Sequence, residues 1–165
     1  MKAVCPRLTF APYDARDCLV VRALLQNPAV MRYIGDGPMS PESAAAWVAQ
    51  RIQTGPQNGL GWFAVRERVL GEFVGHCCVQ SCEFSDALEI AYALEPRYWG
   101  TGLADDLINL LRRHAAAIDA HRRVCALVRI QNIRSAALLG RTGFRFMREL
   151  RSGARHLLYF EAEEL

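Results

Sequence analysis

Hydrophobic positions along the chain switch repeatedly between a period of two and a helical period, and each switch marks an element boundary. Leu8-Thr9-Phe10-Ala11 alternates as a short strand and is closed by Pro12. Asp14 stands as a helix cap ahead of the apolar stretch from Cys18 to Leu25. From Asn27-Pro28 the chain reads as a loop through Gly35-Asp36-Gly37-Pro38. Ser40-Pro41 is a helix-start signal, and Ala44, Trp47, Val48, Arg51 and Ile52 recur at helical spacing as far as about Thr54.

Beyond the turn cluster Gly55-Pro56-Gln57-Asn58-Gly59, three segments are rich in β-formers: Trp62 to Arg66, Glu72 to Gln80 and Leu88 to Leu94. Their short connections predict an antiparallel meander. Leu103 to Ile118 is the strongest helix pattern, with Leu103, Leu107, Leu110, Leu111 and Ile118 on one face. Asp105 and Asp106 lie in its first turn and Arg112, Arg113 and His114 toward its end, as the helix dipole favours. Val124 to Ile130 reads as a strand, Ser135 to Arg141 as a helix ended by Gly143, and Phe144 to Leu150 with His156 to Glu161 as a final hairpin. The order β-α-α-β-β-β-α-β-α-β-β predicts an α/β fold, a mixed sheet with helices packed on its faces.

Composition narrows the class. The 165 residues suit one domain, 1–165, and 52% hydrophobic with 22% charged residues is ordinary for a globular chain. The formal net charge of +3 arises from scattered basic residues, without the basic stripe and interleaved aromatics of a nucleic-acid binder. Cys5, Cys18, Cys77, Cys78, Cys82 and Cys125 form no C-x-x-C pair and have no histidine at zinc-finger spacing, so they read as small thiols rather than metal ligands or disulfides. No apolar stretch approaches the ~20 residues that span a bilayer. With no leader-like N-terminus either, a cytoplasmic location is expected.

The most informative stretch is Leu94-Glu95-Pro96-Arg97-Tyr98-Trp99-Gly100-Thr101-Gly102-Leu103-Ala104. A strand ends, two glycines turn the chain, and the strong helix begins. A helix N-terminus presents unpaired N–H groups and a positive dipole end, and glycines let a phosphate approach the backbone. The same pattern also serves as an ordinary strand-to-helix turn. It lacks the Lys-Ser/Thr of a Walker loop and the third glycine of a dinucleotide fingerprint.

Arg97-x-x-Gly100-x-Gly102-x-Ala104 resembles the Arg/Gln-x-x-Gly-x-Gly/Ala signature of GNAT acetyltransferases. Glu89-Ile90-Ala91-Tyr92 before it and Asn132-x-x-Ser135-x-x-Leu138-Leu139-x-x-x-Gly143-Phe144 after it resemble the branch that acetylates ribosomal-protein N-termini. The resemblance runs from about Leu8 to Phe160. It implies the GNAT fold, a mostly antiparallel mixed sheet of about seven strands with helices on both faces, and acetyl-CoA as co-substrate. It also implies roles for particular residues. Backbone groups of Ala93 and Leu94 would meet the pantetheine arm. Arg97 and the amides of Gly100, Thr101, Gly102, Leu103 and Ala104 would hold the pyrophosphate, with a side chain at Gly102 projecting into its path. Asn132 would lie near the pantetheine and acceptor, and Ser135 near the departing sulfur. Many relatives carry a tyrosine acid where this chain has Leu139, which leaves Ser135 or water to assist the thiolate.

The acceptor must be a neutral amine, so a base is wanted. Glu89 shares one strand face with the small residues Ala91 and Ala93, which suits either a catalytic base or a solvated carboxylate. His76 on the neighbouring strand is a second candidate base, although a strand histidine between Gly75 and Cys77 is more often structural. Asn132 equally suits a helix N-cap, and Tyr98 and Trp99 suit core and loop packing better than adenine stacking. The expected reaction is direct acetyl transfer to a primary amine, a protein N-terminal α-amine by resemblance. Small-molecule amines and a non-catalytic acyl-CoA sensor are the alternatives. No metal, nucleic acid or membrane partner is expected, and the protein would be a monomer or homodimer.

Overall fold

The computed structural model describes residues 5–163, so residues 1–4 and 164–165 of the expected domain lie outside the described residues. Seven strands, β1 (Leu8–Pro12), β2 (Gly61–Glu67), β3 (Phe73–Ser81), β4 (Leu88–Leu94), β5 (Val124–Arg129), β6 (Phe144–Ser152) and β7 (Arg155–Ala162), form one sheet in the order β1-β2-β3-β4-β5-β7-β6. Neighbours are antiparallel except β4 and β5, which run parallel. Pro12 is tolerated because β1 is an edge strand.

The helices α1 (Cys18–Gln26), α2 (Pro28–Met31) and α3 (Pro41–Thr54) precede the meander, and α4 (Leu103–Ile118) and α5 (Ile133–Arg141) follow it. The amphipathic stripe of α4 buries Leu103, Leu107, Leu110 and Leu111 together with Leu138 and Leu139 of α5, against Leu88, Ile90 and Leu94 of β4. On the opposite sheet face Val21, Leu24, Leu25, Ala44 and Val48 of α1 and α3 pack with Ala64 and Ala93. Strand alternation thus sends the even-numbered side chains of β4 toward α4 and α5 and the odd-numbered ones toward α1 and α3.

Three local differences from the sequence expectation have clear causes. Part of the expected loop after Asn27 is the helical turn α2, because Asn27 caps it through Ala29 N–H at 3.0 Å and Pro28 suits its first position. Helix α5 begins at Ile133, before Ser135, since Asn132 accepts the Ser135 N–H at 3.2 Å. Arg112 is buried, its guanidinium donating to Thr142 C=O at 2.8 Å and Glu163 C=O at 2.7 Å. Among the described residues no helix is long and apolar enough to cross a membrane.

His76 is buried on the α1–α3 side of β3, ringed by Tyr13, Trp47 and Trp62, and its Nδ1 shares a 2.8 Å hydrogen bond with the Tyr13 hydroxyl. Burial first, and repulsion from Arg51 second, pull its pKa down from 6.5 to about 3. Above pH 6.5 the imidazole is neutral in both folded and unfolded chains; below it only the unfolded chain takes up the proton. Stability is therefore present above the unfolded value and is lost as pH falls toward the folded one. Denaturant titrations between pH 6.5 and 5 are expected to show a loss approaching ~1.4 kcal/mol per pH unit from this residue. A His76→Phe variant should lose that slope whatever its absolute stability, and an unchanged slope would contradict the assignment.

Candidate active site

After β4 the chain makes a 3-10 turn (Pro96–Tyr98) and then passes Gly100 and Gly102 at φ +76° and +80°, where a side chain would be strained. Gly102 caps α4 with no side-chain hydrogen bond, so the amides of the first turn of the helix are left to an outside partner. Arg7 fixes the loop from behind: Nη1 donates to Thr101 C=O at 3.2 Å, Nη2 to Gly102 C=O at 3.0 Å, and Nε to Asp106 at 2.5 Å. With two loop carbonyls held toward Arg7, the loop is braced without using its N–H groups. A Cβ on Gly100 would meet nothing within 4 Å, whereas one on Gly102 would point at Arg7 Nη2, 3.3 Å away. The open side of the loop is therefore at Gly100, and a side chain at Gly102 would be directed at Arg7.

Two other motif residues are engaged within the protein. The Arg97 guanidinium donates to Glu95 at 2.8 Å and to Phe73 C=O at 3.3 Å and lies over the Tyr98 ring, so its charge is already partnered. Thr101 donates its hydroxyl to Tyr98 C=O at 2.7 Å. Leu103 is a core residue and Ala104 packs beside the core, so both can offer only backbone. Trp99 is 41% exposed, not core, but its indole N–H donates to Leu94 C=O at 2.9 Å.

The parallel pairing of β4 with β5 covers only Leu88 with Val124 and Glu89 with Cys125. Past Glu89 the strands fork, β4 staying with β3 as far as Leu94 and β5 with β7 as far as Arg129. Leu88 N–H donates to Arg123 C=O toward β5, and Glu95 N–H to Val74 C=O toward β3. By strand alternation the peptide groups of Tyr92 and Leu94 face the fork, while those of Ala93 face β3. The expected backbone pair of Ala93 and Leu94 is thus corrected to Tyr92 and Leu94. Because Trp99 occupies the Leu94 carbonyl, Tyr92 keeps both its groups toward the gap and Leu94 its N–H.

Glu89 stands at the root of the fork, half-buried, accepting from Gln80 Nε2 at 3.1 Å. Burial raises its pKa, the Gln80 hydrogen bond opposes, and Glu83 adds a smaller push upward. Its flank carries small groups: the cross-strand neighbour Cys125, and Ala91 opposite Cys78. Burial drives the Cys78 thiol up to about 12, and Cys125 is raised as well, so neither is a thiolate near neutral pH. His76, held neutral and enclosed by aromatics, is not poised to exchange protons with a ligand, which leaves Glu89 as the accessible base of the two.

On the other side of the fork, Ser135 occupies the first turn of α5, its amide tied to Asn132. Asn132 is thus a helix cap, with its Oδ1 committed to the Ser135 N–H. Leu139 is fully buried in the core, leaving no place for a hydroxyl there. The Tyr92 hydroxyl, from β4, lies 3.4 Å from Ser135 Oγ. Sequence reasoning did not single out the Tyr92 hydroxyl or Arg7. Tyr92 sits inside the motif as an even-numbered strand residue that reads as core, and Arg7 lies 95 positions from the loop it holds.

A mixed sheet forked between two parallel strands, with a glycine turn and a bare helix N-terminus beside the fork, offers a surface for an extended ligand that carries phosphate. Residues 7–145 match the acetyltransferase (GNAT) domain family. The chain belongs to that family and is an acetyl-CoA-dependent N-acyltransferase. Its fold is similar to an acetyltransferase (GNAT family) from Bacillus anthracis, with TM-score 0.82, 19% identity and 98% and 97% of the two chains covered. An acetyltransferase from Agrobacterium tumefaciens gives 0.80, 20% identity, and 98% and 93%. Spermidine N-acetyltransferase from Vibrio cholerae, solved with CoA and spermine, gives 0.76, 18% identity, and 93% and 94%.

The open side of the loop supplies a test. Gly100→Ala is expected to cost about 1–2 kcal/mol in backbone strain while leaving the chain folded. It should weaken acetyl-CoA binding at least about tenfold, roughly 1.4 kcal/mol, in calorimetric titration. A folded variant with unchanged affinity would remove the loop from the binding site.

Proposed function

We propose that the chain transfers an acetyl group from acetyl-CoA to the α-amine of a protein N-terminus, with Glu89 as general base. The observation that carries this reading is the position of Glu89 at the root of the β4–β5 fork, on the sheet face opposite α5. In this reading the amides from Gly100 to Ala104 hold the pyrophosphate, neutral donors at a positive helix end. The peptide groups of Tyr92 and Leu94 pair with the amide-rich pantetheine arm as a further strand would. This lays the thioester across the fork beside Ser135, with the amine arriving from the α1–α3 side.

The chemistry then follows from charge. An amine attacks only when neutral; an α-amine with pKa near 7.7–8.0 is partly neutral at pH 7.5, whereas a lysine-like amine near 10.4 is almost wholly charged. Glu89, directly or through a water, takes the proton that nitrogen loses as the C–N bond forms. In this reading the Tyr92 N–H donates to the carbonyl oxygen as negative charge develops on it, and the Leu94 N–H stays with the pantetheine arm. Asn132 orients Ser135 by capping α5. Polyamines are the second acceptor class, because a structure of similar fold is a spermidine N-acetyltransferase solved with CoA and spermine.

Thiol release is to be followed with acetyl-CoA and three acceptors: a peptide with a free N-terminal Ala or Ser, spermidine, and a free amino acid. The peptide is expected to be the best acceptor; a preference for spermidine would overturn the α-amine assignment while leaving the reaction class. Glu89→Gln should lower kcat by about 100-fold or more with acetyl-CoA affinity unchanged. Since burial raises the Glu89 pKa, that loss should accompany disappearance of the acid limb of the kcat/KM profile, where protonation disables the base. Removing a buried charge should also leave thermal stability equal or higher.

A further inference from the structure

The functional reading leaves the departing sulfur to Ser135, and an aliphatic hydroxyl is a poor acid. A phenol, ordinarily near 10, is a far stronger acid than an aliphatic hydroxyl and so the better source of a proton for a thiolate. We propose that Tyr92 and Ser135 form a two-hydroxyl proton relay to the CoA sulfur, with Ser135 touching the sulfur and Tyr92 supplying the proton through it; this rests on the functional reading above.

Four observations converge on it. The two hydroxyls lie 3.4 Å apart, a loose contact of the kind that tightens when substrate closes a site. Tyr92 belongs to the stretch of β4 beyond its last pairing with β5, so the ring emerges from the strand that borders the fork. Both partners are held: the Tyr92 ring packs against the main core, and the Ser135 amide is fixed to Asn132. Leu139, one turn further along α5, is fully buried and has no hydroxyl to offer. The groups facing Tyr92 do not compete for its proton. Arg141 of α5 and Asp105 of α4 are paired with each other at 2.7 and 3.0 Å, and the cross-strand neighbour Cys77 on β3 is a buried thiol pushed well above its usual pKa. Burial raises the Tyr92 hydroxyl above its ordinary value and the Ser135 hydrogen bond opposes, so it is protonated throughout the neutral range.

The step balances. The C–S bond of the tetrahedral intermediate breaks and its electron pair leaves on sulfur. Sulfur takes the Ser135 hydroxyl proton as Ser135 takes that of Tyr92, and solvent restores the phenol after CoA departs. The amine's own surplus proton leaves by Glu89 on the other face, so no oxidant or second co-substrate enters. As Tyr92 acts through Ser135, it is a positioning and relay residue.

The test compares wild type, Tyr92→Phe, Ser135→Ala and the double variant, measuring kcat and KM with the best acceptor from the panel and acetyl-CoA affinity by calorimetry. Each single change is expected to lower kcat by about 10–100-fold with acetyl-CoA affinity unchanged. The double variant should fall no further than the worse single, because the two act as a unit. Replacing Tyr92 with a ring-fluorinated tyrosine keeps the shape, makes the phenol more acidic, and should move the alkaline fall in kcat to lower pH than in the wild type. That arm decides the matter even if Tyr92→Phe fails to fold. Wild-type kcat in Tyr92→Phe, multiplicative losses in the double variant, or a loss confined to affinity would each overturn the relay alone. A wild-type protein that binds acetyl-CoA but turns over no amine would overturn the functional reading, and the relay with it.

Discussion

The whole site depends on how early β4 and β5 part. Two pairs of residues hold these parallel strands together, and after Glu89 each strand keeps only its antiparallel partner. Antiparallel pairing on the far sides, seven residues of β4 with β3 and five of β5 with β7, is what makes the separation affordable. The backbone groups left along the fork are polar and lie beside a packed core. A buried peptide group without a partner costs about 1–3 kcal/mol, so the fork is stable only when water or a ligand rich in amides lies in it. The fold thus prepares an extended binding surface before any side chain takes part.

Strand alternation then divides the chemistry between two sides of a single strand. Odd positions of β4 put Glu89 with Ala91 and Ala93 on the α1–α3 side, and even positions put Tyr92 with Ile90 and Leu94 on the α4–α5 side. The proposed base and the hydroxyl pair thus stand on opposite faces of the sheet without any long loop to position them. What must be held is α5, which carries Ser135. Arg112 does this from beneath, clamping Thr142 at the end of α5 and Glu163 beyond β7. Gly143 leaves room for that guanidinium, since a Cβ there would sit 2.8 Å from Arg112 Nη1. The ion pair of Arg141 with Asp105 joins the last turn of α5 to the first turn of α4, so the helix that follows the glycine loop and the helix that carries Ser135 are mechanically linked.

Much of this was legible in the sequence because it is local. The stripe of α4, the meander and the glycine turn each follow from spacing within one segment. So does the split of Glu89 from Leu88 and Ile90, which needs only the period of a strand. Legibility failed where a residue acts across the chain. Arg7 braces the glycine loop from the start of the sequence, and Arg112 reads as a helix-end cation until β7 brings Glu163 beside it. Ala93 stands out in the sequence and Tyr92 does not, because side-chain alternation is visible there, whereas the direction of peptide groups depends on which neighbour lies on which side. Asn27-Pro28 looked like a loop entrance, and its cap forms a helical turn instead.

The same distinction explains why α5 carries a leucine at 139 while a phenol reaches Ser135 from β4. Leu139 lies fully within the core beside Leu107, Leu111 and Phe144, where a larger polar side chain would bury a hydroxyl among hydrocarbon. Packing α5 tightly with leucine steadies the helix that presents Ser135, and it removes the phenol from that helix. A strand residue avoids the conflict. Tyr92 lies partly buried beside the same core while its hydroxyl ends at Ser135, so one side chain contributes both apolar area and a polar end. Its position is as firm as the β3–β4 ladder that carries it, which pairs Tyr92 with Cys77 in unbroken register. A helix committed to packing and a strand committed to the ladder together place two hydroxyls at one point, and neither element alone does so.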